Sequence, residues 1–192
     1  MKNSFFAFLS RMKHINRWGL MHNSRYENLS EHSFEVAYIA NALANIENEF
    51  FDGKYDADKI TTLALFHDCA EIITGDLPTP VKYKHSSITG AYSEIEQAAK
   101  KTLLSSLDPK LENIYKGYLD YENTENYAII KAADKLSALI KCKQELAIGN
   151  GDFKSAQKTV EDSLNNSQLK SVSYFMENIL PLYTKTLDEL SQ

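Results

Sequence analysis

The sequence contains few of the residues that interrupt or cross-link a chain. Among 192 residues there are seven glycines, four prolines and two cysteines, and no Gly/Ser-rich or Pro-rich stretch that would act as a linker. A chain of this length can bury a substantial core as one domain. We therefore expect a single domain over residues 1–192 with its core at about 28–140.

An excess of positive charge and a long apolar run are also missing. The formal net charge of −5 argues against binding to nucleic acid polymers, which depends mainly on positive charge. No run approaches the ~20 apolar residues of a membrane span, and the apolar N-terminal stretch is soon interrupted by Arg11. Cys69 and Cys142 lie in apolar helical patterns typical of reduced core cysteines. We expect a cytoplasmic protein with no membrane partner.

Strand patterns are absent too, because β-branched residues nowhere alternate convincingly with polar ones. Apolar residues recur instead at helical spacing, which predicts an all-α fold. The predicted helices cover about 4–14, 30–45, 57–73, 87–106, 111–119 and 124–149, followed by two C-terminal helices, the second interrupted at Pro181. The predicted N-caps are Ser30, Asp56, Asp108 and Thr124. The predicted buried side of the helix at 87–106 is marked by Ile88, Ala91, Ile95, Ala98, Ala99 and Thr102.

The segment from Leu63 to Ile73 places three ionisable side chains where a helix should bury hydrocarbon. On a helix, Glu71 stands four residues from His67 and three from Asp68, so all three would project from one side. Burying such groups costs on the order of several kcal/mol unless a hydrogen bond, a counter-ion or a metal compensates. A bound cation would compensate for the imidazole and the carboxylate together.

Two other predicted helices contain the same kind of exception. His32 heads an apolar stripe that continues through Val36 and Ile39, and Asp134 lies on a face of small and apolar residues. Two imidazoles and two carboxylates suit one divalent transition metal ion, such as Co, Mn, Zn, Ni, Cu or Fe, and leave positions for water and substrate. For each residue alone the alternative is a satisfied core histidine or a buried ion pair. The joint occurrence favours a metal site.

The order His32, His67-Asp68, Asp134 resembles the HD-domain metal-dependent phosphohydrolase superfamily. Four flanking motifs look like its bacterial 5′-deoxynucleotidase branch: Ile15-Asn16-Arg17-Trp18, Ser30-Glu31-His32-Ser33, Leu65-Phe66-His67-Asp68-Cys69-Ala70-Glu71 and Thr74-Gly75-Asp76-Leu77-Pro78-Thr79-Pro80-Val81-Lys82. The likeness covers nearly the whole chain. It implies an HD-domain helical bundle with the metal site in the core between helices, a homodimer, and hydrolysis of 2′-deoxyribonucleoside 5′-monophosphates to deoxynucleoside and phosphate.

The resemblance also implies roles for residues near the metal set. Arg17 would hold the phosphate, whose geometry a guanidinium matches, and Trp18 would crowd the 2′ position of a ribose. On the residues alone, Trp18 would be a hydrophobic plug and Arg17 a solvated charge. Glu71 would be the general base or acid, or else a carboxylate that orients His67 or pairs with a lysine. The implied substrate-binding residues are Arg17, Trp18, His32, Asp68, Asp76, Leu77, Pro78 and Thr79.

Three alternatives stay open at this point. The first is another HD-type hydrolase that acts on cyclic nucleotides, (p)ppGpp or deoxynucleoside triphosphates. The second is a nucleotide sensor without turnover, and the third is a helical interaction protein whose buried charges are paired internally. The sequence assigns neither the native metal nor the base preference, and it does not say whether an acidic residue at 120–122 contacts the sugar.

Overall fold

The computed structural model describes residues 3–82 and 85–191. The helices are α1 (Phe5–Leu9), α2 (Leu29–Phe50), α3 (Ala57–Leu65), α4 (Glu71–Thr74), α5 (Thr79–Lys82), α6 (Ser86–Ser105), α7 (Pro109–Leu119), α8 (Tyr127–Ala147), α9 (Lys154–Asn165), α10 (Lys170–Asn178) and α11 (Leu187–Leu190). Short 3₁₀ helices cover Ser10–His14, Gly151–Phe153 and Leu180–Thr184. Within the described ranges there is no β-strand, only an isolated bridge between Asn16 and Asn28. The predicted all-α fold is confirmed.

The chain folds into two compact units, each made of two separate stretches. The first unit contains residues up to 34 and 65–123, and the second contains 35–64 and the residues from 124 onward. A single domain over the whole chain stays a prediction. None of the described helices is long and apolar enough to cross a membrane.

The first unit has a hydrophobic core between α1, α6, α7 and the segment that carries His67. Its buried members are Phe5, Cys69, Leu103, Leu104, Leu107 and Leu119. Phe66 packs against this core and stacks on Tyr118, with ring centroids 5.6 Å apart. Phe66 and Cys69 thus anchor the backbone on both sides of His67 and Asp68.

The second unit is built around α8. This helix packs against α9 and against the 3₁₀ helix Leu180–Thr184, and its apolar side is fully buried at Ile129, Leu136 and Leu139. Near its C-terminus the buried carboxylate of Glu145 accepts hydrogen bonds from Lys141 and Asn150. The last turn of α8 is therefore stabilised by polar as well as apolar contacts.

Several predicted helix boundaries are confirmed by their capping contacts. Asp56 accepts a hydrogen bond from the N–H of Lys59, and Asp108 accepts one from the N–H of Lys110, both at 2.9 Å. The predicted interruption at Pro181 is present, since α10 ends at Asn178 and a 3₁₀ helix follows.

Two predicted caps are wrong. The helix α2 begins one residue before Ser30, because the side chain of Asn28 accepts hydrogen bonds from the N–H groups of Ser30 and Glu31 at 3.0 and 3.1 Å. The helix α8 begins at Tyr127, after Asn126, and the N–H of Tyr127 donates to the backbone carbonyl of Thr124 at 3.2 Å. In both places the turn before the helix sets the boundary.

The predicted helix over 57–73 is also wrong. The helix α3 ends at Leu65, residues 66–70 form turns, and α4 begins at Glu71. The N–H groups of Cys69 and Glu71 donate to carbonyl groups three residues earlier, at 3.2 and 2.9 Å. This tightening replaces the predicted four-residue stacking of His67 and Glu71 on one continuous helix.

The predicted buried side of α6 is confirmed at Ala99 and wrong elsewhere. Ile95 is 53 % exposed and Ala91, Ala98 and Thr102 are also exposed, whereas Tyr92 and Leu103 are buried together with Ala99. The reason is that α1, α4 and α7 contact α6 on the side of these residues. Lys100, on the same side, is buried and pairs with Glu122.

Candidate metal and phosphate site

Three of the four predicted metal ligands meet in the first unit. His32 lies in the first turn of α2, and His67 and Asp68 lie in the turns between α3 and α4. The Nε2 atoms of His67 and His32 are 3.0 and 3.5 Å from the same oxygen, Oδ2 of Asp68. Their two rings have centroids 5.3 Å apart, and one ligand atom from each of the three residues lies within 4.8 Å of the others. Both histidines are buried.

The electrostatics of this cluster keep Asp68 charged. Burial raises the pKa of Asp68, but the charge of His67 and the hydrogen bonds from His32 and His67 outweigh that effect. The pKa of Asp68 therefore lies well below its usual range. A charged carboxylate beside two imidazole nitrogens is a donor set for a divalent transition metal ion.

The surroundings of His32 also fit a metal ligand. Its Nδ1 lies 3.3 Å from Oε1 of Glu27, while its Nε2 faces Asp68. A histidine that binds a metal through one nitrogen usually gives the other N–H to a carboxylate or carbonyl, which fixes the tautomer and the ring orientation. These residues therefore fit a divalent metal ion at the Nε2 side.

The fourth predicted ligand, Asp134, belongs to the second unit. It is half-buried in α8, and Lys131 donates to its Oδ2 at 2.5 Å. Its place in the metal set stays a prediction.

Arg17 and Trp18 are held close to this cluster. The guanidinium of Arg17 lies between two carboxylates, with Nη1 3.4 Å from Oδ2 of Asp68 and Nε 3.2 Å from Oε1 of Glu27. Its side chain is only 12 % exposed, which excludes a solvated surface charge. The indole N–H of Trp18 donates to Oε2 of Glu27 at 3.0 Å. The polar edge of Trp18 thus has a specific partner, which fixes the orientation of the indole ring.

The backbone of Trp18 is in the left-handed region, with φ at +60°. This conformation costs a residue with a Cβ about 1–2 kcal/mol. Two hydrogen bonds hold it, because the carbonyl of Trp18 accepts from the N–H of Met21 and from the side-chain amide of Asn23 at 3.0 and 3.1 Å. The loop that carries Arg17 therefore stabilises the left-handed conformation of Trp18.

Glu71 is buried at the start of α4. Its Oε2 atom has no hydrogen-bond partner among the described residues. Burial, with the neighbouring charges of Asp68 and Asp76, raises the pKa of Glu71 to about 9. This raised pKa favours the protonated form of Glu71 at neutral pH, and one of its buried oxygens makes no hydrogen bond within the described residues.

The segment after α4 reaches the same region. Asp76 is half-buried, and burial raises its pKa, although the charge of Arg17 and a hydrogen bond with the backbone of Trp18 lower it in part. Leu77 and Pro78 follow without regular secondary structure and are half-buried. Thr79 begins α5, but its side chain lies outside what the structure describes.

Comparisons with known proteins show the family of this chain. The family model described as 5′-deoxynucleotidase YfbR-like matches residues 4–183. The chain belongs to this YfbR-like family. It is 45 % identical over 189 residues to the 5′-deoxynucleotidase YPTB2590 of Yersinia pseudotuberculosis serotype I (strain IP32953), with 97 % of this chain and 96 % of that protein covered. The 5′-deoxynucleotidase of Yersinia pestis (strain Pestoides F) matches with the same identity and coverage. The family predicted from the motifs is confirmed.

Solved structures share the fold of this YfbR-like protein. An HD-domain phosphohydrolase from Listeria innocua is 25 % identical with a TM-score of 0.84, and 98 % of this chain and 92 % of that one are covered. The cyanophage S-2L HD phosphohydrolase DatZ, bound to dA and one catalytic Zn²⁺ ion, is 19 % identical with a TM-score of 0.66, and 94 % and 99 % are covered. The second likeness shows the fold alone.

Sequence reasoning missed one residue of this YfbR-like site, Glu27. It lies in the loop before α2, where no helical repeat of apolar residues indicates a buried position, and its side chain is 15 % exposed. Burial raises the pKa of Glu27, but the hydrogen bond with His32, the charge of Arg17 and the indole of Trp18 together lower it below its usual range. Glu27 is therefore a charged carboxylate that faces three of the predicted site residues.

Of the acidic residues at 120–122, Glu122 pairs with the buried Lys100. A sugar contact from this segment stays a prediction.

Proposed function

We propose that this YfbR-like protein is a metal-dependent phosphomonoesterase that hydrolyses 2′-deoxyribonucleoside 5′-monophosphates to deoxynucleoside and phosphate. One observation carries the proposal: the buried guanidinium of Arg17 lies 3.4 Å from the carboxylate of Asp68, which also faces the imidazoles of His32 and His67. The names of the Yersinia relatives support the same substrate class.

We propose that His32, His67, Asp68 and Asp134 hold one divalent transition metal ion. Cobalt or manganese is our first choice, and Zn, Ni, Cu or Fe would suit the same nitrogen and oxygen donors. When bound, such an ion supplies a Lewis acid for the phosphoryl oxygens and an acidified water. The convergence of His32 and His67 on one oxygen of Asp68 supports the proposal.

The two catalytic residues divide the remaining work. Arg17 would bind and orient the phosphate, because a guanidinium donates two parallel hydrogen bonds to phosphate oxygens. Glu71 would donate a proton to the leaving group. A carboxyl that keeps its proton at neutral pH can give it to the 5′ oxygen of the leaving deoxynucleoside as the P–O bond breaks. The free Oε2 of Glu71 supports this role over that of a carboxylate that merely orients His67.

Selection of the sugar would come from Trp18 and the segment from Asp76 to Thr79. An indole packed against the 2′ carbon leaves no room for a hydroxyl and offers it no hydrogen bond. Asp76 would accept a hydrogen bond from the sugar, and Leu77, Pro78 and Thr79 would line the pocket beside it. The hydrogen bond between Asp76 and the backbone of Trp18 supports a shared pocket.

The proposal extends to the state of the protein in the cell. The substrate would be a small nucleotide, without nucleic acid polymers or membranes as partners, and the active form would be a homodimer in the cytoplasm. Cys69 and Cys142 are buried and are not disulfide-bonded, which supports a reducing compartment.

The proposal is tested by phosphate release from dAMP, AMP and dATP after EDTA treatment and after Co, Mn, Mg or Zn is restored. We expect release from dAMP to exceed release from AMP, and to require the restored metal. Release that ignores EDTA would contradict the metal role. Faster release of pyrophosphate or triphosphate from dATP would instead support another HD-type hydrolase.

A further inference from the structure

We infer that Glu27 is a positioning residue that ties the substrate-facing pair Arg17 and Trp18 to the metal ligand His32. The inference rests on the proposed function. The two oxygens of Glu27 are divided between these partners. Oε1 lies 3.2 Å from Nε of Arg17 and 3.3 Å from Nδ1 of His32, and Oε2 accepts the indole N–H of Trp18 at 3.0 Å.

On the metal side, Glu27 determines which nitrogen of His32 is a donor. A carboxylate at Nδ1 favours the tautomer with the proton on that atom, which leaves the lone pair of Nε2 for a metal ion that would be bound together with Asp68. It also fixes the ring plane. Loss of such a carboxylate typically weakens metal binding about 10–100-fold.

On the substrate side, Glu27 sits where the two ends of the loop at 17–27 meet. The N–H of Arg17 donates to the backbone carbonyl of Glu27 at 2.9 Å, next to the bridge between Asn16 and Asn28. Within the closed loop, the carboxylate holds the guanidinium and the indole through separate oxygens. The side chain therefore sets where both groups point, while the backbone bonds only close the loop.

The neighbouring acidic residue Glu31 shows what a surface ion pair in the same region looks like. Its carboxylate lies 3.9 Å from Arg25, and the two side chains are 49 % and 86 % exposed. Glu31 also accepts a hydrogen bond from the N–H of Asn28. It makes no contact with Arg17, Trp18 or His32 in the bonds and ion pairs of the described residues, so it is a matched control.

The test compares the wild type with Glu27→Gln, Glu27→Asp and Glu31→Gln. The first readout is the Co²⁺ dissociation constant of EDTA-stripped protein, measured without substrate by competition with a chelating dye. The second is the fluorescence emission of Trp18, the single tryptophan of the chain. The third is kcat and KM for dAMP and AMP at saturating Co²⁺, and circular dichroism checks the fold of each variant.

We expect Glu27→Gln to weaken Co²⁺ binding about 10–100-fold and to shift the Trp18 emission. We also expect it to raise KM for dAMP about tenfold, as for a lost hydrogen bond to a charged group, and to narrow the preference for dAMP over AMP. Glu27→Asp keeps the charge on a shorter side chain and should recover part of each loss. Glu31→Gln should leave all three readouts at wild-type values.

A Glu27→Gln protein with wild-type Co²⁺ affinity and unchanged Trp18 emission would overturn the inference, even if its melting temperature were lower than that of the wild type. Equal changes in Glu31→Gln would overturn it too. If Glu27→Gln fails to fold, Glu27→Asp carries the same comparison. If the wild type releases no phosphate from dAMP, the proposed function fails, but the Co²⁺ and Trp18 readouts still decide the role of Glu27.

Discussion

Replacing Glu71 by glutamine should stabilise the metal-free protein at neutral to alkaline pH. The folded structure raises the pKa of Glu71 from 4.5 to about 9. Below pH 4.5 the carboxyl is protonated in both the folded and the unfolded chain. As the pH rises from 4.5 to about 9, the unfolded chain loses this proton while the folded chain keeps it. The free energy of unfolding therefore falls over that range, and glutamine, which does not titrate, removes the loss.

The size of the effect follows from the pKa. Each pH unit between the two values removes about 1.4 kcal/mol from the free energy of unfolding. At pH 7.5, about three units above the lower value, the loss approaches about 4 kcal/mol, whereas at pH 5 it stays below about 1 kcal/mol. For a chain of this length, about 4 kcal/mol corresponds to about 10 °C in Tm.

The assay is thermal unfolding of EDTA-treated wild type and Glu71→Gln at pH 5 and pH 7.5. We expect the two Tm values to be close at pH 5 and to separate at pH 7.5 in favour of the variant. Glu94→Gln, at an exposed position of α6, controls for the loss of any carboxylate. An equal Tm difference at both pH values would refute the reasoning, because the difference must grow with the deprotonation of the unfolded chain.

Four further changes test the site and its support. Asp68→Ala should lose both bound metal and turnover, measured by metal analysis and phosphate release. Glu71→Gln should keep the metal and lose most of the rate, and a wild-type rate would remove Glu71 from proton transfer. Trp18→Ala should narrow the preference for dAMP over AMP, and unchanged discrimination would remove Trp18 from sugar selection. Leu103→Ala should lower the free energy of unfolding by about 2–5 kcal/mol in urea titration, because this side chain is fully buried in the core that anchors Phe66.

The long helices of the chain could be predicted because each repeats its apolar residues over several turns. The predicted segments of α6 and α7 match the observed ones closely. The break after Leu65 could not be predicted in this way. Apolar residues at three-residue and four-residue spacing look alike over two turns, and the tight turns at 66–70 are set by packing of Phe66 and Cys69 on a core formed by distant residues.

The cluster of His32, His67 and Asp68 could be predicted because an ionisable side chain stands out in an apolar stripe. Glu27 could not, because it lies in a loop without a period, and nothing in its neighbours along the chain marks it as buried. The exposed Ile95 was misassigned for a related reason. Both sides of α6 carry apolar residues, and only its neighbours in space determine which side is covered.

The left-handed backbone at Trp18 places two demands on one position. Glycine, which lacks a Cβ, would adopt φ +60° without strain and would relax the turn. Tryptophan is among the least suitable residues for that backbone, yet only its indole reaches Glu27 at 3.0 Å. In a library of variants at residue 18 ranked by melting temperature, we therefore expect glycine to rank high, and the proposed role of Trp18 predicts that this variant loses the preference for deoxyribose over ribose. Selection for a stable turn would favour glycine at residue 18, whereas selection for the proposed preference for deoxyribose would favour tryptophan.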